Sequence, residues 1–326
     1  VIKPVKFLIL RFSSIGDIVL TTPVIRCLKE QCPHAEVHYF TKSKFGFILN
    51  DNPFIDKLWQ LDKSEGDVLK LLKKENFDYV IDLHNNLRTL KIKFSLGKPS
   101  FSFEKLNVQK FLLTSFKINR LPDVHIVDRY LDTLKTLNIH NDQKGLDYFV
   151  PEKDQIEINT LPITHRKGFV AYAIGGQHFT KKLPVGRMIE LCEKIDQPLI
   201  LLGGKEDFEN GEEVRNALPG IAIHNACGVY NFNQSASVIE KANVVFSHDT
   251  GLMHVAAAFH KKVYSIWGNT VPEFGMYPYQ TSFEILENKG LDCRPCSKIG
   301  HKQCPKKHFK CMNELPFNFE LDQLLQ

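Results

Sequence analysis

The chain has 326 residues, of which 43% are hydrophobic and 24% charged, with a net charge of +5 at pH 7. That length favours two domains of about 150 residues each, and so small a positive excess does not by itself imply a nucleic-acid partner. No apolar run approaches the roughly 18 residues that span a bilayer, and Val1-Ile2-Lys3-Pro4 lacks the apolar core and cleavage site of a secretory signal, so a cytoplasmic protein is expected.

The run Phe7-Leu8-Ile9-Leu10 predicts a buried strand over 6–11 that turns through Ser13-Ser14-Ile15-Gly16-Asp17 into a helix over 21–30. In open α/β sheets, ligands bind where strand carboxyl ends meet helix N-termini, so this turn points at a site. Ser14, Gly16 and Asp17 are its candidate residues, with the Asp17 carboxylate at the mouth. Strands are predicted over 36–40, 57–60 and 78–83, with helices over 43–49 and 66–74 between them. The alternation reads as βαβ units in a mainly parallel sheet.

From Arg88 to Arg120 the chain carries eight basic residues, Arg88, Lys91 and Lys93 first among them, with Glu104 as the single acid. Five phenylalanines are interleaved with them: Phe94, Phe101, Phe103, Phe111 and Phe116. Such a stretch is either a solvated basic face with its rings in the core, or a surface for an anionic, partly apolar partner at a membrane. A polar, proline-containing stretch over 150–165 reads as an interdomain linker.

The alternation then restarts, with strands over 168–174, 198–202, 243–246 and 262–267 and helices over 184–195, 208–217 and 250–259. Three strand ends bring polar residues to one sheet edge. Gly175-Gly176 is followed by Lys181 and Lys182, Gly203-Gly204 by Glu206, and Phe246-Ser247-His248 by Asp249-Thr250-Gly251. Two ammonium groups and a helix N-terminus suit a pyrophosphate, and a carboxylate suits ribose hydroxyls. Each turn alone is explained by tight βα geometry, but three together fit a nucleoside diphosphate. The architecture expected is α/β with two doubly wound, Rossmann-like domains over 1–155 and 156–315, facing across a cleft. Residues 316–326, with a helix over 317–325, are expected to pack back on the first domain.

These residues carry a resemblance. Ser13-Ser14-Ile15-Gly16-Asp17 with Thr22-Pro23, the Lys181-Lys182-Leu183-Pro184 turn, and Ser247-His248-Asp249-Thr250-Gly251 with His254 and Ala257 are similar, over nearly the whole chain, to the ADP-heptose:lipopolysaccharide heptosyltransferases (glycosyltransferase family 9). The resemblance implies a GT-B fold and inverting transfer of a heptose from ADP-heptose to the inner core of lipopolysaccharide without a metal. It implies Asp17 as general base, in an acceptor-binding domain; the basic stretch adds Arg88, Lys91 and Lys93 as candidate acceptor contacts. The resemblance assigns donor contacts to Lys181, Lys182, Glu206, Asp249, Thr250, Gly251 and His254, the last equally readable as a buried helix histidine. A lipid-linked acceptor also implies peripheral contact with the cytoplasmic face of the inner membrane. Leu183 departs from the tryptophan common at that position, and adjacent lysines leave open which one reaches the phosphates. The sequence contains no Asp-x-Asp, the pair that holds a divalent cation in many metal-dependent glycosyltransferases.

Four of the eight cysteines, Cys27, Cys32, Cys192 and Cys227, are scattered through predicted elements and read as reduced packing residues. Cys293, Cys296, Cys304 and Cys311 form C-x2-C-x7-C-x6-C with His301 and His308 nearby. Four thiolates, or three and an imidazole, satisfy a structural zinc; the irregular spacing beyond the first pair favours reduced cysteines in a long loop instead. Other readings fare less well. No G-x-G-x-x-G follows the first strand, which disfavours a nicotinamide oxidoreductase, and the modest charge disfavours nucleic acid. A GT-B enzyme with another nucleotide sugar or glycan acceptor is the nearest alternative.

Overall fold

The computed structural model describes residues 3–62 and 65–321, which belong to two compact units. The first unit takes in the chain up to Lys105 and Val124–Phe149; the second takes in Leu106–Asp123 and the chain from Val150 onward.

The first unit holds a five-stranded parallel sheet of β1 (Val5–Leu10), β2 (Ala35–Lys42), β3 (Lys57–Leu61), β4 (Tyr79–Asp82) and β5 (Ser100–Ser102), in the order β3-β2-β1-β4-β5. Phe7 to Leu10 are buried because a central parallel strand is covered on both faces, which is why it reads as an unbroken apolar run. The chain leaves β1 toward β2 and β3, then returns to place β4 on the other side of β1. This reversal opens a crevice at the carboxyl ends of β1 and β4, the place where such sheets bind ligands.

The helix expected over 21–30 is Thr22–Gln31, and the turn expected before it holds a short helix of its own, Ile15–Val19. Gly16 and Asp17 therefore lie within a helical first turn, whose start is held by the Asp17 carboxylate accepting from both Ser14 N–H and Ser14 Oγ. The segment expected as a helix over 43–49 is a 3-10 helix, Ser43–Ile48, whereas Glu65–Glu75 is an α-helix as the periodicity implies. The helix Leu87–Leu96, capped by Asn86 and Gly97, was hidden by its mixed apolar and basic pattern.

The second unit holds a six-stranded parallel sheet of β6 (Val170–Ala173), β7 (Leu199–Leu202), β8 (Ile223–Asn225), β9 (Val244–His248), β10 (Lys262–Trp267) and β11 (Phe283–Glu287), in the order β11-β10-β9-β6-β7-β8. Alternate residues serve opposite layers: Val170, Tyr172, Leu199 and Leu201 pack on one side, Ala171, Ile200 and Leu202 on the other. The strand order reverses between β6 and β9, so the crevice here lies beside Gly175-Gly176 and Asp249-Thr250-Gly251. β8, β11 and the helix Phe232–Lys241 extend the sheet and its cover beyond the predicted elements.

Three segments differ from expectation. Residues 150–165 are fixed to the second unit: the buried Asp154 carboxylate accepts hydrogen bonds from Asn231 (2.8 Å) and Asn233 (3.1 Å), and Ile156 N–H donates to Ser237 Oγ (2.9 Å). Polar residues that read as a linker are instead anchors for the helix Phe232–Lys241. Within 107–123, Leu113 packs with Val271 and Phe274, and Lys117 donates to the Pro295 carbonyl (2.7 Å), so this half of the basic-aromatic stretch belongs to the second unit. Residues 317–321 are not helical and lie on the second unit, with Phe319 against Phe246 and Tyr264; residues 322–325 fall outside the described residues. Phe317, Phe319 and Leu321 alternate with polar residues, a period of two that suits extended chain.

Among the described residues no helix is long and apolar enough to cross a membrane. Phe246 stacks on Tyr264 at 4.5 Å in the middle of the second core. Phe246→Ala is expected to destabilise this unit by roughly 3–5 kcal/mol, measured by urea unfolding followed by intrinsic fluorescence.

Candidate active site

At the crevice of the first sheet, Asp17 sits in the third position of its helix and is held from two sides. One carboxylate oxygen accepts from Ser14 N–H (3.0 Å) and Ser14 Oγ (2.6 Å). The other meets Arg11 Nη2 at 2.7 Å. Arg11 is buried, and it also donates to the Ser13 carbonyl (2.7 Å), the Leu83 carbonyl (2.5 Å) and Tyr130 Oη (2.9 Å). One guanidinium thus ties the ends of β1 and β4 together and orients Asp17 between them. Burial opposes the charge on Arg11, but Asp17 and the neighbouring tyrosines outweigh it and raise its pKa.

His84, just beyond β4, packs edge-on to Phe12 at 5.5 Å. Burial, with Arg11 and Lys105 adding to it, pushes its pKa down to about 4. The three predicted basic contacts diverge. Arg88 lies over the Phe12 ring at 5.5 Å, next to the strand end that carries Asp17. Lys91 is exposed on the outer face of its helix. Lys93 is committed to buried Asp82 (2.8 Å) and Ser102 Oγ (2.7 Å), within the fold rather than facing a ligand.

At the crevice of the second sheet the two adjacent lysines take different partners. Lys181 Nζ lies 2.6 Å from an Asp249 carboxylate oxygen and donates to the Asp249 carbonyl (3.2 Å). Lys182 Nζ lies 2.9 Å from Asp207, a buried residue whose other oxygen accepts Gly204 N–H (3.0 Å). Both ammonium groups are therefore kept at the sheet edge by carboxylates rooted in the neighbouring turns. Gly176 makes this convergence feasible: a Cβ there would stand 3.2 Å from Lys182 and 3.4 Å from Thr250. Thr250 caps the helix Gly251–Ala258, directing that helix's free N–H groups toward the same edge. Glu206 is exposed beside Gly204. His254 is buried on the helix, behind the edge rather than on it.

Several members of this arrangement went unrecognised in the sequence. His248 is fully buried, and its Nε2 accepts the Leu183 N–H (3.0 Å), locking the lysine turn onto β9. Burial, reinforced by Lys182, lowers its pKa to about 4. Thr270 Oγ1 donates to Asp249 (2.8 Å). The turn that carries Thr270 is gripped by Arg294, which donates to the carbonyls of Gly268 (2.5 Å), Asn288 (2.6 Å) and Thr270 (3.0 Å) and pairs with Glu287 (3.0 Å). His301 N–H donates to Thr180 Oγ1 (2.8 Å), next to Lys181. The cysteine-rich segment thereby braces both loops that hold the Lys181–Asp249 pair. Asp207 was legible as the acid three residues after Gly204, a capping-box spacing; Arg294 and Thr270 offered no local signal.

Within that segment Cys293 Sγ lies 4.0 Å from His308 Nε2. His308 Nδ1 accepts Lys310 N–H (3.0 Å). The only group of three or more ligand atoms within 4.8 Å of one another among the described residues is Glu36, His38 and Glu75, so the four thiols form no such cluster. Lys6 Nζ already lies 3.2 and 3.1 Å from those two carboxylates, and His38 Nδ1 accepts from Trp59, which makes this an ion-pair network.

Two parallel α/β units, each with polar side chains gathered at its strand-order reversal, are the architecture of the GT-B fold. Comparison with known proteins agrees. The profile of glycosyltransferase family 9 (heptosyltransferase) matches residues 66–309. The lipopolysaccharide heptosyltransferase 1 of Campylobacter coli is 26% identical, with 88% of this chain and 89% of that one covered. A lipooligosaccharide heptosyltransferase 2 of Campylobacter jejuni is 30% identical over 92% of each chain. The structure of E. coli ADP-heptose lps heptosyltransferase II superimposes with a TM-score of 0.68 at 18% identity, covering 95% of this chain and 98% of that one. The chain belongs to glycosyltransferase family 9, the heptosyltransferases, and is an enzyme.

Two outcomes follow from this geometry. Because His84 and His248 have pKa values near 4 when folded and about 6.5 when unfolded, the unfolded chain binds more protons between those values. Stability is therefore fully present above pH 6.5 and lost as pH falls toward 4, by roughly 3 kcal/mol for the fully buried His248 and by less for the partly exposed His84; a His248→Asn variant should show a shallower loss in urea melts across that range. Arg294→Met should cost about 3–5 kcal/mol, since it strands Glu287 and several carbonyls in the interior, and thermal unfolding will read it.

Proposed function

We propose that this enzyme moves a heptose from ADP-heptose to the inner core of lipopolysaccharide with inversion at the anomeric carbon, and that Asp17 is the general base. The observation that carries this reading is the Asp17 carboxylate at the first sheet's crevice, oriented by Ser14 and clamped by Arg11. The relatives' names, which specify lipopolysaccharide and lipooligosaccharide heptosyltransferases and, for one solved structure, ADP-heptose, support the choice of donor and acceptor.

In this mechanism a core-sugar hydroxyl, a poor nucleophile near neutral pH, loses its proton to Asp17 as its oxygen attacks the anomeric carbon. The new C–O bond forms on the face opposite the departing ADP oxygen, whose bond to the sugar breaks in the same displacement. Negative charge grows on the pyrophosphate and is met by Lys181, Lys182 and the N–H groups of the helix that Thr250 and Gly251 open. Asp249 holds Lys181 in place, and Glu206 takes the ribose hydroxyls. His254 supports the Asp249 turn from behind. Lysines and a helix end supply the positive charge that a divalent cation supplies in other glycosyltransferases, so the transfer is proposed to need no metal. Ser14 and Gly16 shape the acceptor side, and Arg88 offers a cation to an acidic core. The domains are assigned accordingly, the acceptor to the first unit and the donor to the second, with the enzyme working at the cytoplasmic face of the inner membrane.

Transfer from ADP-heptose to a truncated lipopolysaccharide core, followed by mass spectrometry with and without EDTA, tests this reading. The intact chain should transfer equally in both, and Asp17→Ala should lower kcat by about 100-fold or more while ADP binding is retained. Loss of transfer with EDTA would overturn the metal-free mechanism. ADP binding without transfer of heptose would move the assignment to another nucleotide sugar or acceptor.

A further inference from the structure

The helix Leu87–Leu96 has two apolar faces. One is its ordinary core face, where Thr89 and Ile92 are buried. On the other, Leu87, Leu90 and Phe94 are 79%, 57% and 90% exposed. Their spacing of three and four residues puts them in one stripe along the helix, and Lys91 falls in the same stripe. Grouped large apolar side chains on a soluble surface mark a contact site more often than scattered ones do. The helix also carries Arg88 and Lys93 but no acidic residue. Its first turn adjoins the candidate site, because Arg88 covers the Phe12 ring immediately before Ser13.

We propose that this stripe seats the first unit in an anionic lipid surface, with Leu87, Leu90 and Phe94 entering the boundary between headgroups and acyl chains and Lys91 meeting lipid phosphates. Charge selects this occupant. A second copy of the chain docked face to face would bring two acid-free basic helices together, whereas anionic headgroups complement them. The proposal rests on the function given above in one respect: an acceptor held in a bilayer by its acyl chains has its sugars at the surface, and a helix that lies on that surface and begins against Phe12, just before the turn that holds Asp17, brings the base toward them. Amphipathic helices of this kind bind through buried apolar area together with attraction to anionic lipid.

The test is flotation of the intact chain with vesicles rich in phosphatidylglycerol and with vesicles of phosphatidylcholine alone, beside Lys91→Glu and the double variant Leu90→Ser with Phe94→Ser. Binding to the anionic vesicles, weakened by salt and reduced about tenfold or more in the double variant, is expected. Lys91→Glu should lower binding to anionic vesicles while leaving the weak binding to phosphatidylcholine unaltered. Because the substituted side chains are exposed, melting temperature and ADP binding should stay at the values of the intact chain. No vesicle binding by the intact chain, or equal binding by the double variant, would overturn the proposal. So would an intact chain that is dimeric in solution and becomes monomeric in the double variant, which would make the stripe a subunit interface. Vesicle binding is read without a sugar donor, and transfer to a deacylated core acceptor is read without vesicles, so either reading can fail while the other stands.

Discussion

The reversal of strand order in a parallel sheet is the constraint on which the rest of this structure depends. Parallel strands point their carboxyl ends to one edge, and where successive connections diverge the chain leaves a crevice that neither connection fills. The first sheet diverges between β1 and β4, the second between β6 and β9. Asp17 stands at the first of those places, and Lys181, Lys182 and Asp249 at the second. The fold does not itself supply the reaction, but it fixes where carboxylates and ammonium groups stand partly desolvated and held in one geometry.

What holds them is a set of partners behind the reacting groups. Arg11 spans the two strand ends and turns Asp17 from a mobile surface carboxylate into an oriented one. The second unit uses a longer chain of contacts, from Arg294 to the Thr270 turn, from Thr270 to Asp249, and from Asp249 to Lys181. A buried guanidinium is suited to both tasks because its planar fork satisfies several carbonyls at once while its charge stays fixed. The cysteine-rich segment has a structural purpose in this light: its backbone and Arg294 hold the loops that carry Lys181 and Asp249.

The two lysines illustrate how a charge pair prepares a site. Each ammonium is paired with a carboxylate while no ligand competes for it, which limits the desolvation cost of holding two cations side by side at a sheet edge. Groups held in position in this way leave little side-chain ordering to oppose the pyrophosphate binding proposed for them. Asp207 and His248, both buried, keep the lysine turn in register with β9 and the Gly203-Gly204 turn.

The sequence by itself determined the elements with strong local signals. Buried parallel strands are continuous apolar runs, so β1, β7 and β9 were legible, and the turns after them exposed Asp17, Lys181, Lys182 and Asp249 through their place at strand ends. The order of motifs sufficed to indicate the family. Tertiary structure alone decided the remainder, since it depends on residues far apart in the chain. Arg11 meets Leu83 and Tyr130, Thr270 meets Asp249, and Arg294 meets Gly268, each through contacts that no spacing encodes. It also decided that Lys93 turns to Asp82 while Lys91 faces outward, because the direction of a helical side chain follows from which face the sheet covers. Likewise, 150–165 looked like a linker because its polar residues find their partners, Asn231, Asn233 and Ser237, some 80 residues away.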